Sequence, residues 1–413
     1  MKFNQLKLLP ELLHSAAKAG YTTATPIQEK CIPAILKGRD VLASAQTGTG
    51  KTAAFIFPLL QAIATKKQIK VDKYHADILV IAPTRELAAQ IHERLLIYGK
   101  NSKISSAVVF GGVNINPQIK ILRRGVHILI ATPGRLLDLE QQGGVKLNTV
   151  KTLVIDEADR MLDMGFIPDI KKIIALVPQK RRTLFFSATF PDNVRQLAKK
   201  ILRDPVEIDV SPRNSAVDKI TQRLYSVDKR NKSRLLTALI NSEQWTQVLV
   251  FTRTKHGANK LARTLEKEGI KSDAIHGNKS QSARTRALSK FKSKKISVLV
   301  ATDIAARGID ISTLPQVVNF DLPNVPEDYV HRIGRTARAG KDGSAISLVS
   351  ADEIKQLRNI EHLIKIHIVR KSYDGFEAKE ILPESKPFRK KTEIRSKIKP
   401  AKKRKTHGKK PRR

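Results

Sequence analysis

Lys51 and Thr52 close the glycine-rich run "AQTGTGKT" (45–52), and far downstream the apolar run Thr152-Leu153-Val154-Ile155 ends in Asp156-Glu157-Ala158-Asp159. In such a loop Gly48 and Gly50 let backbone N–H groups wrap a polyphosphate, Lys51 supplies a cation and Thr52 a hydroxyl for Mg²⁺. Gln46, Thr47 and Thr49 complete the cradle, and Ala45 stands where the commonest phosphate-loop pattern has glycine. A strand that delivers adjacent carboxylates would place Asp156 on the metal and Glu157 on the attacking water, to orient or deprotonate it. Together the two segments imply hydrolysis of a nucleoside triphosphate.

These groups need strands to carry them. Short apolar runs recur with helical segments between: "DVLASA" (40–45), "DILVIAP" (77–83), "SAVVFGG" (106–112), "HILIATP" (127–133), "TLVIDEAD" (152–159) and "TLFFSAT" (183–189). Their hydrophobicity is continuous rather than alternating, which suits strands buried on both faces of a parallel sheet. The stretch 203–220 mixes proline, serine, asparagine and charge, so a first domain is expected over 1–208 and a linker over 209–217. The rhythm restarts with "QVLVFT" (247–252), "ISVLVATD" (296–303) and "SAISLVS" (344–350), which predicts a second α/β domain over 218–370. That half has no phosphate loop of its own, which suggests one active site shared across a cleft.

Lys+Arg outnumber Asp+Glu by 77 to 38 in 413 residues, a net charge of +39. Such a surplus points to a polyanionic partner, and with these motifs to nucleic acid. Aromatic residues make up only 5%, so contacts to the backbone fit better than repeated base stacking. Residues 371–413 hold 17 Lys+Arg against 5 Asp+Glu and are expected to form a basic, disordered tail that tethers nucleic acid. Most of the charge nevertheless lies on the folded body. The single cysteine, Cys31, forms no internal disulfide and fits a reducing compartment. No apolar run approaches the roughly 18–20 residues that cross a bilayer, so a cytoplasmic protein is expected.

Ten motifs occur in an order and spacing that resemble the DEAD-box ATP-dependent RNA helicases: "GYTTATPIQ" (20–28), "AQTGTGKT", "PTRELAAQ" (83–90), "GG" (111–112), "TPGR" (132–135), "DEAD" (156–159), "SAT" (187–189), "FTRT" (251–254), "ATDIAARGID" (301–310) and "HRIGRTARAG" (331–340). The likeness spans roughly residues 1–350. The compact body with a short basic extension looks most like the bacterial RhlE-type subgroup. Ala337 departs from the glycine many members carry. The resemblance implies two tandem RecA-like α/β domains, each a parallel sheet flanked by helices, with ATP and Mg²⁺ as cofactors and RNA as partner.

It also implies roles for particular residues. Phe3, Tyr21, Thr25 and Gln28 would read adenine, the Gln28 amide matching its N6/N7 edge. Asp310 would reach the ribose, and Arg335 and Arg338 would be arginine fingers on the γ-phosphate. Asp159, Ser187, Thr189, Asp303 and His331 would couple nucleotide state to RNA binding. RNA contacts would come from Pro83, Thr84, Arg85, Gly111, Gly112, Thr132, Pro133, Gly134 and Arg135 in the first domain. Arg253, Thr254, Gln281, Arg284 and Thr302 would add those of the second. The implied activity is RNA-stimulated ATP hydrolysis coupled to local, non-processive remodelling of RNA duplexes or RNA–protein complexes, for instance ribosomal precursors or decay complexes. A DNA helicase and an RNA clamp or annealing chaperone acting through the tail are the competing readings; the intact catalytic set argues against the second.

Overall fold

Ile78 and Val80 pack into one apolar cluster, whereas Leu79 and Ile81 of the same strand pack into another on the opposite face. Val248 and Val250 divide from Leu249 and Phe251 in the same way. Side chains of a strand alternate between faces, so a strand covered on both sides reads as a continuous apolar run. Each such residue contributes about 1.5–3 kcal/mol relative to exposure. The computed structural model describes residues 1–45, 48–65, 71–100, 102–210, 220–306, 311, 314–336, 343–380 and 382–383.

The first lobe contains β1 (Val41–Ser44), β2 (Ala76–Ile81), β3 (Ser106–Val109), β4 (Val126–Ala131), β5 (Thr152–Ile155), β6 (Arg182–Ser187) and β7 (Val206–Asp209). The second contains β8 (Ile220–Ser226), β9 (Val248–Phe251), β10 (Ser272–Ile275), β11 (Val298–Ala301), β12 (Gln316–Asn319), β13 (Gly343–Val349) and β14 (Val369–Lys371). Their sheets run β3-β4-β2-β5-β6-β1-β7 and β10-β11-β9-β12-β13-β8-β14, and the pairings are parallel. The expected pair of α/β domains is what forms. All loops after the strands therefore open at one edge of each sheet, where ligands of open α/β sheets bind.

Two boundaries differ from expectation. The linker begins later, because β7 pairs with β1 and Val210 N–H donates to the Ser44 carbonyl at 3.1 Å. Its composition disguised it: β7 is an edge strand in which only Ile208 is buried. Residues 211–217 of the expected linker lie outside the described residues. The second lobe also runs past 370. β14 pairs with β8, Tyr373 and Phe376 pack on the second core, and Leu382 is buried. The compact unit extends to Leu382, so the tail begins after it, and residues 384–413 lie outside the described residues. Cys31 is fully buried, and burial pushes its thiol up to about 12.

Candidate functional site

β1 delivers the glycine-rich loop and the helix Lys51–Ala64 starts directly after it. Its first N–H groups and its dipole favour an anion. Gly50 has φ +95°, and a Cβ there would lie 2.4 Å from Gln28 Nε2, so both backbone and space demand glycine. Lys51 is buried and donates to the Ala45 carbonyl at 2.7 Å. Thr52 is half-buried in the first turn. Gln46 and Thr47 lie outside the described residues.

The adenine-reading set is arranged differently from the simplest expectation. Gln28 is buried, accepts from Thr25 N–H at 2.9 Å and donates to the Gly50 carbonyl at 3.3 Å. It ties the phosphate loop to its own helix, and one N–H and one lone pair remain for a base. Phe3 is only 2% exposed and packs against Tyr21 and Phe57, so it offers a base almost no ring surface. Tyr21 is half-buried and its hydroxyl bonds that of Tyr98 at 2.7 Å.

β5 ends beside β2 and β6, and Asp156 N–H donates to the Ile81 carbonyl. Burial pushes the Asp156 carboxyl up to about 7 against the pull of Lys51, and its Oδ1 has no hydrogen-bond partner. Glu157 sits in the left-handed region, φ 57°, a strained position for a non-glycine residue. Its Oε2 pairs with Arg160 Nη1 at 2.6 Å, both side chains buried. Sequence reasoning missed Arg160, although its i,i+3 spacing from Glu157 signals a neighbour on one helical face.

Asp159 is the junction. Its Oδ2 accepts from Ala188 N–H at 3.1 Å, Thr189 N–H at 2.9 Å and the Thr189 hydroxyl at 3.0 Å. Ser187, the last residue of β6, accepts from Asp159 N–H at 3.2 Å and donates to the Thr189 carbonyl at 2.6 Å. Burial works to raise the Asp159 carboxyl, but Lys51, His331 and Arg160 with the Thr189 hydroxyl hold it below the usual range. His331 belongs to the second lobe, so this first-lobe carboxylate feels the partner motif.

Around His331, Arg332 is almost wholly buried and forks onto Asp303, Nε to Oδ1 at 2.6 Å and Nη2 to Oδ2 at 2.7 Å. Its Nη1 donates to the Asp321 carbonyl at 2.6 Å, and the guanidinium lies 5.0 Å from the Phe251 ring centre. Asp303 is thus held within its own lobe. Arg335 is buried and borders the same small cavity as His331 and Asp303. Arg338 and Asp310, like Ala337, lie outside the described residues.

A second cleft, about 460 Å³, is lined by Pro83, Thr84, Arg85, Gly111, Thr132, Gly134 and Arg135 from the first lobe, with Gly277 and Arg284 from the second. Thr84 caps the helix Arg85–Tyr98, accepting from Leu87 N–H, and Thr254 caps Lys255–Lys267 in the same way from Gly257 N–H. Arg85 lies over Gly112, φ +75°, where a Cβ would meet its Nη1 at 1.9 Å. Arg135 donates to the Val113 carbonyl at 2.9 Å, Pro133 opens the helix Pro133–Gln141, and Thr302 caps β11's exit with its carbonyl. Several of the expected RNA groups also pair with polar side chains of the protein, Arg135 with Asp138 at 3.4 Å among them. Arg284 pairs with Glu86 at 2.9 Å, Gln281 donates to Glu86 at 3.1 Å, and Arg253 pairs with Glu353 at 2.8 Å. Glu86 had escaped notice because it sits beside Arg85 in a motif read for its cation.

Residues 25–197 match the family model described as DEAD/DEAH box helicase, and residues 231–340 match that described as Helicase conserved C-terminal domain. The chain is 44% identical over 363 residues to the DEAD-box ATP-dependent RNA helicase CshA of Bacillus cereus, covering 88% of this chain and 68% of that one. The chain belongs to the DEAD-box ATP-dependent RNA helicases. This helicase is accordingly an RNA-stimulated ATPase with two RecA-like lobes. It is similar to S. cerevisiae Dbp5 bound to RNA and ADP BeF3, at TM-score 0.79 and 32% identity over 90% of this chain and 96% of that one. A structure of Mss116p bound to ssRNA and AMP-PNP gives TM-score 0.81 and 30% identity over 91% and 80%.

Proposed function

We propose that the helicase binds ATP at the loop after β1 and RNA along the 460 Å³ cleft, and that the two together hold the lobes closed for hydrolysis. The observation that carries this is Asp159, a single carboxylate bonded to Thr189 on β6's exit and felt by His331 from the other lobe. Lys51 exchanges the Ala45 carbonyl for a phosphate oxygen, and Glu157 leaves Arg160 to orient the attacking water. Arg335 and Arg338 neutralise charge that develops on the γ-phosphate. Glu86 yields Arg284 and Gln281 to the RNA backbone, and a bent strand in the cleft no longer fits an A-form duplex. Short duplexes are thereby opened locally and without processive movement.

The donors suit Mg²⁺: a buried Asp156 oxygen without a hydrogen-bond partner and the half-buried Thr52 hydroxyl are both hard-oxygen donors. When bound, the ion screens the phosphate charge; Asp156 and Thr52 would hold it, partly through water.

A cytoplasmic setting, with ribosomal-precursor or decay RNAs as targets, is supported by the charge of +39 and the single buried cysteine. No helix among the described residues is long and apolar enough to cross a membrane. The RhlE-type assignment rests on the compact body and its short basic extension. The deciding experiment measures ATP turnover with RNA and with DNA of one sequence. Stimulation by RNA alone is expected; equal stimulation by DNA, or none by either, overturns the reading.

A further inference from the structure

Three basic runs have no part in the catalytic arrangement: Lys171-Lys172, Lys180-Arg181-Arg182, and Lys199-Lys200 with Arg203. They come from the helix Ile167–Leu176, the turn into β6, and the end of the helix Asp192–Ile201. Folding gathers them around an open cavity of about 370 Å³ lined by Lys171, Gln179, Arg181, Thr183, Lys200 and Arg203, and among the described residues no carboxylate forms its wall. Asp40, whose charge reaches Arg181, already accepts Thr183 N–H at 2.7 Å and Arg203 N–H at 2.8 Å. Arg181 Nη1 is held by the Pro178 carbonyl at 2.8 Å, while its Nε is buried without a partner. Burial and the neighbouring Arg203 charge both pull the Arg181 guanidinium below its usual value. Helix C-termini attract cations, which accounts for Lys200 but not for the crowding of Arg181 and Arg203.

The cavity lies where β6 begins, while Ser187, at the other end of that strand, faces Asp159. At about 3.3 Å per residue the strand sets them roughly 16 Å apart, so this is not the nucleotide site. We propose that the pocket is a second phosphate-binding site, one that takes backbone phosphates of the RNA strand after it has left the cleft. The proposal rests on the RNA-binding reading above. Exposed Lys171, Lys200 and Arg203 on an open rim suit an extended polyanion crossing the surface better than an enclosed small one. Like-charge crowding without a wall carboxylate is relieved when phosphate oxygens enter.

The test uses the full chain, the triple variant Lys171→Glu, Lys200→Glu, Arg203→Glu, and separately Arg181→Gln, each checked for an unchanged melting curve. Fluorescence anisotropy across a salt series is read with two RNAs, one just filling the cleft and one extended on both sides. Both variants should bind the short RNA and hydrolyse ATP on it as the parent does. On the extended RNA their affinity should fall, the log–log salt slope shrinking by about 0.7 per lost contact. An unchanged slope on the extended RNA overturns the proposal, as does equal loss on both RNAs. Tripolyphosphate, titrated calorimetrically, separates the sources: binding to the parent but not to Arg181→Gln, with RNA slopes unchanged, would assign the pocket to a free polyphosphate and refute the RNA role. A parent that bound neither RNA would remove the underlying reading, and the proposal with it.

Discussion

In the first lobe the strand next to β6, β5, delivers Asp156, whose Oδ1 has no hydrogen-bond partner; in the second, its topological counterpart β12 leads to Asp321, whose carboxylate already accepts a hydrogen bond. Asp321 Oδ2 accepts Arg253 N–H at 2.9 Å and its carbonyl accepts Arg332. The same holds for the lysines after the matching strands β1 and β8. Among the described residues Lys51 hydrogen-bonds only the Ala45 carbonyl, whereas the similarly buried Lys232 is bonded to Glu353 and the Phe320 carbonyl. The strand order is identical in both sheets. What separates these two matched positions is whether the buried group already has its hydrogen bonds made within the protein. A buried polar atom without a hydrogen-bond partner is costly, and a ligand that supplies one removes that cost.

The comparison can be broken at several places. Arg335 should lend its charge across the cleft, so Arg335→Ala is expected to slow RNA-stimulated turnover by on the order of 10³–10⁵. Nucleotide affinity should change little, and a rate within tenfold of the parent in single-turnover assays would remove it from the catalytic set. Glu157→Gln should cost on the order of 10²–10⁴ in the hydrolysis step while ATP-dependent RNA binding persists. Hydrolysis at the parent rate would show that the strained Glu157 serves only Arg160.

The lysine pair sharpens the contrast. Lys232→Ala removes one of the two cations bonded to buried Glu353, leaving Arg253, and should destabilise the second lobe by about 1–3 kcal/mol, with turnover per folded molecule retained. Lys51→Ala should do the reverse, abolishing turnover with little change in denaturant midpoint. Equal stability losses would mean that Lys51 too is a structural residue. The smallest effect concerns the matched caps: Thr84→Ala and Thr254→Ala should each cost about 1 kcal/mol. Of the two, only Thr84 lines the cleft, so its variant alone should also weaken RNA binding in a titration.

The interior strands, and which residues stand at their ends, were legible because burial on both faces leaves an unbroken apolar run, as in Leu153-Val154-Ile155. The edge strands were not. β7 and β14 are short and covered on one side, so Glu207, Asp209 and Lys371 make them look like linker and tail. Residues such as Phe3 and Gln28 were placed near the nucleotide from their motif, but their burial depends on Tyr21, Phe57 and Gly50, which come from other elements. Long-range pairs were invisible for the same reason. Arg332 finds Asp303, and Arg284 finds Glu86, only once the lobes have folded.

β7 also fixes where the polypeptide departs from the first lobe. Val210 N–H is fastened to the carbonyl of Ser44, the residue before Ala45, whose own carbonyl holds Lys51. Any tug along the connecting chain is therefore delivered to an edge ribbon lying against the strand that feeds the triphosphate cradle. A load on the outgoing chain would thus reach the glycine-rich loop through a single strand pairing.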